Sequence, residues 1–373
     1  MSSARAHKSD AVRHLYVHFP FCARICPYCA FYKTRGNATD LAQFCTALQR
    51  EAERISGEIC FDLGTIFFGG GTPTVLGVNQ LELLLLHFAN LFDLTSVEEW
   101  TIECNPGSIS AKKASVLRKG GINRVSLGVQ SWEDSLLRVL GRDHTAEHAD
   151  ESFRILRDSG FKNISVDLMF ALPSQTESQW KRSLERTIEL GPEHISAYCL
   201  TYEEDTEFLV RLQNGEFRFD DEPEGRFFEL AMEMLESAGY EHYEISNYAR
   251  PGFRSRHNQA YWRGADYIGF GPSAFSTWNG QRWQNIAQHH DYARRLENDE
   301  SPIATMETLT ASMRRMEAVG IGLRTVEGIS QQLVEMQEAA DLTSAGLLSR
   351  DGERLVLTRR GKLLADSVAE RLV

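Results

Sequence analysis

The chain has 373 residues, 42% of them hydrophobic and 25% charged, with a formal net charge of −12 at pH 7. That composition fits one large globular domain plus a smaller one, and the acidity argues against a broad surface for nucleic acid or anionic lipid. The opening MSSARAHKSD has no signal-peptide core, and no apolar run approaches the roughly 20 residues of a spanning helix. With seven cysteines and no secretory signal, the expectation is a cytoplasmic protein with reduced thiols and no integral membrane segment.

The first element is a strand over 15–19, stopped by Pro20 and followed by a loop that holds Cys22, Cys26 and Cys29. Residues 39–55 carry Leu41, Phe44, Leu48, Ala52 and Ile55 at helical spacing. A buried-strand pattern at 65–68 runs into Gly69-Gly70-Gly71-Thr72-Pro73-Thr74, and 79–92 reads as an apolar helix. The strand at 100–103 is followed by a helix over 110–119, ended by Gly120-Gly121. The strand at 123–127 leads to a helix over 145–159, and the strand at 163–169 to a helix over 177–190 that Gly191-Pro192 closes. A strand at 194–200, an acidic connector (Glu203-Glu204-Asp205, Asp220-Asp221-Glu222), a helix over 225–238 and a strand at 243–246 complete the series.

Alternating strands and helices predict parallel βα units. Six to seven of them make a partial or full (β/α) barrel, with a doubly wound sheet as the alternative. Polar or glycine-rich positions sit just past the strands (the cysteine loop, GGGTPT, Glu103, Gln130, Asp167), where a barrel gathers its ligands. From about Pro302 the character changes. Apolar runs at 342–348 and 355–358, a hairpin turn at Asp351-Gly352 and a last helix over 361–372 predict a small α+β winged-helix-like module. The expected organisation is a tail 1–14, a core 15–300 and a C-terminal domain 301–373. Arg354, Arg359, Arg360 and Lys362 form a basic cluster, read as a solvated or protein-docking face.

Three cysteines at Cys-x3-Cys-x2-Cys spacing in a strand-exit loop suit an iron–sulfur cluster, because thiolates are its soft ligands. Structural zinc closes on four ligands, and no paired Cys-x2-Cys or His-x3-His lies further along to complete such a site. Cys45, Cys60, Cys104 and Cys199 read as scattered or buried thiols. Three thiolates hold three corners of a cubane and leave one iron open to a small chelating molecule. GGGTPT lacks the Gly-Lys-Ser/Thr ending of a phosphate loop; glycine there allows a close backbone approach.

On Cys22, Cys26, Tyr28 and Cys29 the chain resembles the radical S-adenosylmethionine superfamily. From about residue 14 onward it is similar to the oxygen-independent coproporphyrinogen III oxidase group. The resemblance implies a [4Fe–4S] cluster on the three cysteines, with S-adenosylmethionine near Tyr16, Tyr28, Gly70, Gly71, Thr72, Glu103, Gln130, Arg142 and Asp167. Carboxylates suit ribose hydroxyls or an ammonium, and an arginine suits a carboxylate.

Two features depart from the oxidases. Phe31 stands where they carry a fourth cysteine, and too little chain precedes the first strand for their N-terminal arm. Both features are shared by the HemW-type haem chaperones, whose His-Asn-x-x-Tyr-Trp signature is matched by His257, Asn258, Tyr261 and Trp262. Histidine can ligate haem iron and aromatic rings can stack on the macrocycle. The resemblance implies binding of haem or porphyrin and delivery to apo-haem client proteins, membrane respiratory enzymes among them, with no nucleic-acid partner. The rivals are oxidative decarboxylation of coproporphyrinogen III, in which a radical abstracts a propionate hydrogen, and anaerobic haem breakdown.

Overall fold

The computed structural model describes residues 11–217 and 221–373; residues 1–10 of the expected tail and Asp220 of the acidic connector lie outside them. Five βα units and a sixth parallel strand come first: β1 (Val12–Phe19), α1 (Ala38–Glu58), β2 (Phe61–Gly70), α2 (Val78–Leu91), β3 (Glu99–Cys104), α3 (Ala111–Lys119), β4 (Arg124–Gln130), α4 (Asp134–Val139), α5 (Ala146–Asp158), β5 (Ile164–Phe170), α6 (Glu177–Leu190) and β6 (His194–Cys199). β1 thus begins at residue 12 rather than 15, inside the expected tail.

Local chemistry sets the helix ends. Asn37 and Asp40 cap α1 reciprocally, Thr145 and His148 cap α5, and Thr176 and Gln179 cap α6. α3 stops at Gly120, and α6 at Gly191, whose φ of 65° is left-handed. Every residue of β4 is buried, as expected of a parallel strand covered on both faces.

The chain continues through α7 (Glu207–Gln213), α8 (Asp221–Ser237), β7 (Glu241–Glu244), β8 (Asn247–Ala249), α9 (Arg256–Trp262) and β9 (Ile268–Phe270). Trp180 of α6 is buried, donates from its indole to the Phe227 carbonyl of α8 at 2.9 Å, and packs 5.4 Å from Phe170.

The expected strand at 243–246 is an antiparallel hairpin instead, with β8 against β6 and β7 against β8. The break is built in: the Glu244 carboxylate accepts from the Ser246 and Asn247 donors, and His242 Nε2 donates to the Ile245 carbonyl at 3.0 Å. β9 adds in parallel to β1, so the nine strands run β7-β8-β6-β5-β4-β3-β2-β1-β9. The sheet ends on β7 and β9 and is a partial barrel.

A second sheet was not anticipated: β10 (Phe275–Trp278), β11 (Gln281–Asn285) and β12 (Ile303–Thr308), all antiparallel, with α10 (His289–Glu297) between the last two. Buried Glu51 of α1 ties it down. Its carboxylate accepts from the Gly271 amide at 2.7 Å, Asn285 Nδ2 at 2.6 Å and the Tyr292 hydroxyl at 2.6 Å, and burial pushes its pKa up to about 7.

The C-terminal region holds α11 (Ala311–Gly322), β13 (Ile329–Ser330), α12 (Met336–Ser344), β14 (Leu348–Asp351), β15 (Arg354–Leu357), α13 (Arg359–Lys362) and α14 (Ala365–Leu372) around its own apolar cluster of Val319, Leu342, Leu348, Leu355 and Val368. β14 and β15 form the hairpin expected at Asp351-Gly352. The four basic residues are bonded within the protein: Arg354 to the Glu327 and Gly328 carbonyls, Arg359 to Glu236, Arg360 to the Ala345 carbonyl and Lys362 to His242. No helix among the described residues is long and apolar enough to cross a membrane.

Candidate functional site

The carboxyl ends of the parallel strands bring the expected polar residues to one mouth. Tyr16 comes from β1, Gly70 from the end of β2, Glu103 from β3, Gln130 from the end of β4 and Asp167 from β5.

The cysteine loop leaves β1 and returns alongside it. Cys22 N–H donates to the Thr34 carbonyl at 3.0 Å, and Thr34 N–H to the Pro20 carbonyl at 2.7 Å. The glycine turn grips the same loop: Gly71 N–H donates to Phe19 O at 2.6 Å, Thr72 N–H to Phe21 O at 2.8 Å, and the Thr72 hydroxyl lies 3.8 Å from Cys22 Sγ. A Cβ on Gly71 would stand 2.7 Å from Phe21 O. Glycine is required there so that the cysteine loop can approach, where the sequence suggested approach by a ligand.

Arg142 crosses behind the loop. Its guanidinium lies 3.6 Å from Cys26 Sγ and donates to Asn105 Oδ1 at 2.6 Å and Gly128 O at 2.9 Å. These bonds give Arg142 protein partners where a ligand carboxylate was expected, and its Nε is buried without a partner. Burial pushes the Cys22 thiol up to about 11 and raises Cys29. Tyr28 is half-buried, its ring 6.1 Å from Phe208.

Glu103 accepts from Gly70 N–H at 2.9 Å; burial, and then the like charge of Asp167, push its pKa up to about 8. Asp167 accepts from the Ser126 hydroxyl at 2.9 Å and the Ser165 hydroxyl at 2.9 Å, while burial raises it too. Gln130 has φ of 65°, and the Tyr198 hydroxyl donates to its Oε1 at 2.6 Å. A left-handed non-glycine residue at a site edge is strain that its surroundings must hold in place. Glu103, Asp167, Ser126 and Tyr198 border a cavity of about 610 Å³ that also takes in Cys29, Phe31 and Trp262, while Gln130 stands behind Tyr198.

A second cavity, about 620 Å³, shares Phe31, Phe67, Glu103, Asn258 and Trp262 with the first. Its walls are more aromatic: Tyr16, Tyr261, Tyr267 and Phe275, with His14 and His257. α9 is aimed by Glu99, whose carboxylate accepts the amides of Arg256 at 2.9 Å and His257 at 3.0 Å, a favourable charge at a helix start. Burial, and then nearby His14, hold His257 down at about 3, so its ring is neutral. The Thr65 hydroxyl stands 2.8 Å from His257 Nδ1 and 2.9 Å from His14 Nδ1. A hydroxyl has one hydrogen. One ring must therefore donate from Nδ1, which leaves that ring's Nε2 lone pair free for a metal.

The Radical SAM superfamily profile matches residues 16–187. The Heme chaperone HemW of Lactococcus lactis subsp. lactis (strain IL1403) is 34% identical over 96% of this chain and 96% of that protein. The Heme chaperone HemW of Bacillus subtilis (strain 168) is 34% identical over 96% of this chain and 98% of that protein. The chain belongs to the HemW family of radical SAM proteins. Its fold matches the coproporphyrinogen III oxidase HemN from Escherichia coli, at TM-score 0.84 and 22% identity over 97% of this chain and 90% of that one.

Within this HemW-family chain the site residues expected from the sequence fall around the cysteine loop, the strand ends and the aromatic cavity, while Gly71, Thr72, Gln130 and Arg142 line neither cavity. Sequence reasoning missed His14, Thr65, Asn105 and Tyr198. His14 had a signal: His14, Tyr16 and His18 alternate along β1 on one face, opposite buried Leu15, Val17 and Phe19. His18 Nε2 donates to the Tyr32 carbonyl at 2.9 Å, so its Nδ1 accepts from the Tyr16 hydroxyl at 3.0 Å. Thr65 had none, since its pairing with His14 is a matter of strand register.

Proposed function

We propose that this protein binds haem in the aromatic cavity beside a cluster-bearing mouth and passes it to apo-haem client proteins, membrane respiratory enzymes among them. The observation that carries the reading is the cavity walled by His257, Tyr261 and Trp262, which adjoins the polar mouth and shares Phe31 with it. The relatives named as haem chaperones, alike over nearly the whole chain, support it.

The donor set fits a [4Fe–4S] cluster: three thiols in one loop, with a buried guanidinium against Cys26 Sγ to balance thiolate charge. Cys22, Cys26 and Cys29 would hold it, and when bound it supplies an iron with no protein ligand, suited to chelating the amino acid end of S-adenosylmethionine. Glu103, Asp167 and Gln130 present acceptors to that molecule's hydroxyls or ammonium, with Tyr16, Tyr28 and Gly70 beside them. Gly71, Thr72 and Arg142 act one step back, by shaping the cysteine loop. In the aromatic cavity His257 offers iron a neutral nitrogen, Asn258 a side-chain amide, and Tyr261 and Trp262 flat faces to the macrocycle.

The decisive assay is anaerobic. Cluster-loaded protein is given haem in one arm, and dithionite, S-adenosylmethionine and coproporphyrinogen III in the other. Stoichiometric haem binding, weakened at least tenfold in His257→Ala, with no carbon dioxide release is the expected result. Robust decarboxylation would replace this reading with the oxidase one.

A further inference from the structure

Away from the mouth, three ligand-type side chains converge where α10 starts beside the start of α1. One donor atom each from Asp40, His289 and His290 lies within 4.8 Å of the others. His290 Nε2 and Asp40 Oδ1 are 3.9 Å apart, too far for a hydrogen bond. That spacing is close to the ~3.4 Å that two ligands keep around a tetrahedral ion with bonds of about 2.0–2.1 Å.

The second observation is His289 itself. Both of its ring nitrogens are shut away from water and neither has a hydrogen-bond partner. Leaving a buried polar group unpaired costs about 1–3 kcal/mol, and a coordinated ion removes that penalty for one nitrogen. The ring is held in place: it lies tilted, 3.9 Å from the His290 ring, and meets Phe21 edge-on at 5.2 Å. Asp40 is also preset. Its Oδ2 accepts the Asn37 amide at 2.9 Å, which fixes the carboxylate and leaves Oδ1 turned to the histidines.

We propose that Asp40, His289 and His290 form a binding site for a divalent transition ion of the zinc class, separate from the cysteine trio and independent of the haem reading. Two imidazoles and one carboxylate select zinc, cobalt, nickel or copper over magnesium and calcium, which take oxygen ligands. Three protein ligands leave a fourth position for water. Its place gives it a role as a tie. Phe21 precedes Cys22, and Tyr32 at the far end of the cysteine loop accepts the His289 amide on its hydroxyl at 3.3 Å. A bound ion joins the second sheet's helix to α1, with both arms of that loop packed against His289.

The test uses cluster-loaded protein titrated with cobalt(II), read by visible absorption, and with zinc, read by elemental analysis after desalting. One cobalt per chain with ligand-field bands and no sulfur-to-cobalt charge transfer is expected. His290→Ala and Asp40→Asn each weaken that binding tenfold or more. The His290 side chain is 66% exposed, so its loss leaves the fold intact. The Cys22→Ser, Cys26→Ser, Cys29→Ser triple variant keeps the cobalt signal. No stoichiometric uptake, uptake with sulfur charge transfer that vanishes in the triple variant, or affinity unchanged by His290→Ala would each overturn the site.

Discussion

A single hydroxyl hydrogen decides the chemistry of two imidazoles on the aromatic cavity's wall. Thr65 bridges His14 and His257, and replacing it with valine removes the bridge while keeping the shape. Thr65→Val is expected to lower haem affinity about tenfold, the ~1.4 kcal/mol of one hydrogen bond, and to shift the Soret band in the same titration that tests His257→Ala. An unchanged affinity would show that neither ring binds iron from this arrangement. Phe31 makes a second residue-scale case. It is 69% exposed yet lines both cavities, an apolar face in want of a cover. Phe31→Ala should weaken haem at least tenfold, since covering a phenyl ring contributes about 1.5–3 kcal/mol, and leave the melting temperature unchanged. The cysteine trio was legible because its ligands sit within one loop. The histidine pair was not, because it exists only once β1 and β2 are in register.

At the scale of elements, α9 hangs from Glu99. Two of its first amides end on that carboxylate, so Glu99→Ala orphans both. The expected outcome is a loss of about 1–3 kcal/mol in urea denaturation together with weaker haem binding, as the helix that carries His257 loses its aim. The cysteine loop has a comparable prop in Arg142, which joins Cys26 to Asn105 and Gly128. Arg142→Met is expected to cost about 1–3 kcal/mol, since Asn105 Oδ1 and the Gly128 carbonyl lose their donor. It should retain less iron per chain after anaerobic reconstitution and desalting. Helix ends were readable from Gly120 and Gly191, where chain direction changes for local reasons. The second sheet was not: β12 buries none of its six residues fully and exposes five, so no alternation marks it. The hairpin at β7 and β8 hid for another reason, because Glu244 supplies the turn's hydrogen bonds from a side chain rather than through a glycine or proline.

For the molecule as a whole, Glu103 and Glu51 weigh on the response to pH above the range in which histidines titrate. Glu103 and Glu51 titrate at about 8 and about 7 in the folded chain, above the ordinary carboxylate value of about 4.3 that they regain on unfolding. The folded state therefore holds protons that the unfolded state has released. Their contribution is complete below the unfolded value and is lost as pH rises through the folded ones. Above about pH 6.5, where the histidines that burial holds down are neutral in both states, cluster-free protein should lose stability up to about pH 8, by at most about 1.4 kcal/mol per pH unit for each group. Glu103→Gln, which can still accept the Gly70 amide, should flatten that slope in urea midpoints taken at both ends of the range. A final consequence belongs to the open sheet, which stops at β7 on one flank and β9 on the other. Both flanks are covered, β7 by backbone bonds to 324–326 and β9 by Ser276 of β10, so a plate-like cargo in the proposed aromatic cavity would leave through that cavity's own opening. Unloading then depends on how firmly the recipient pulls.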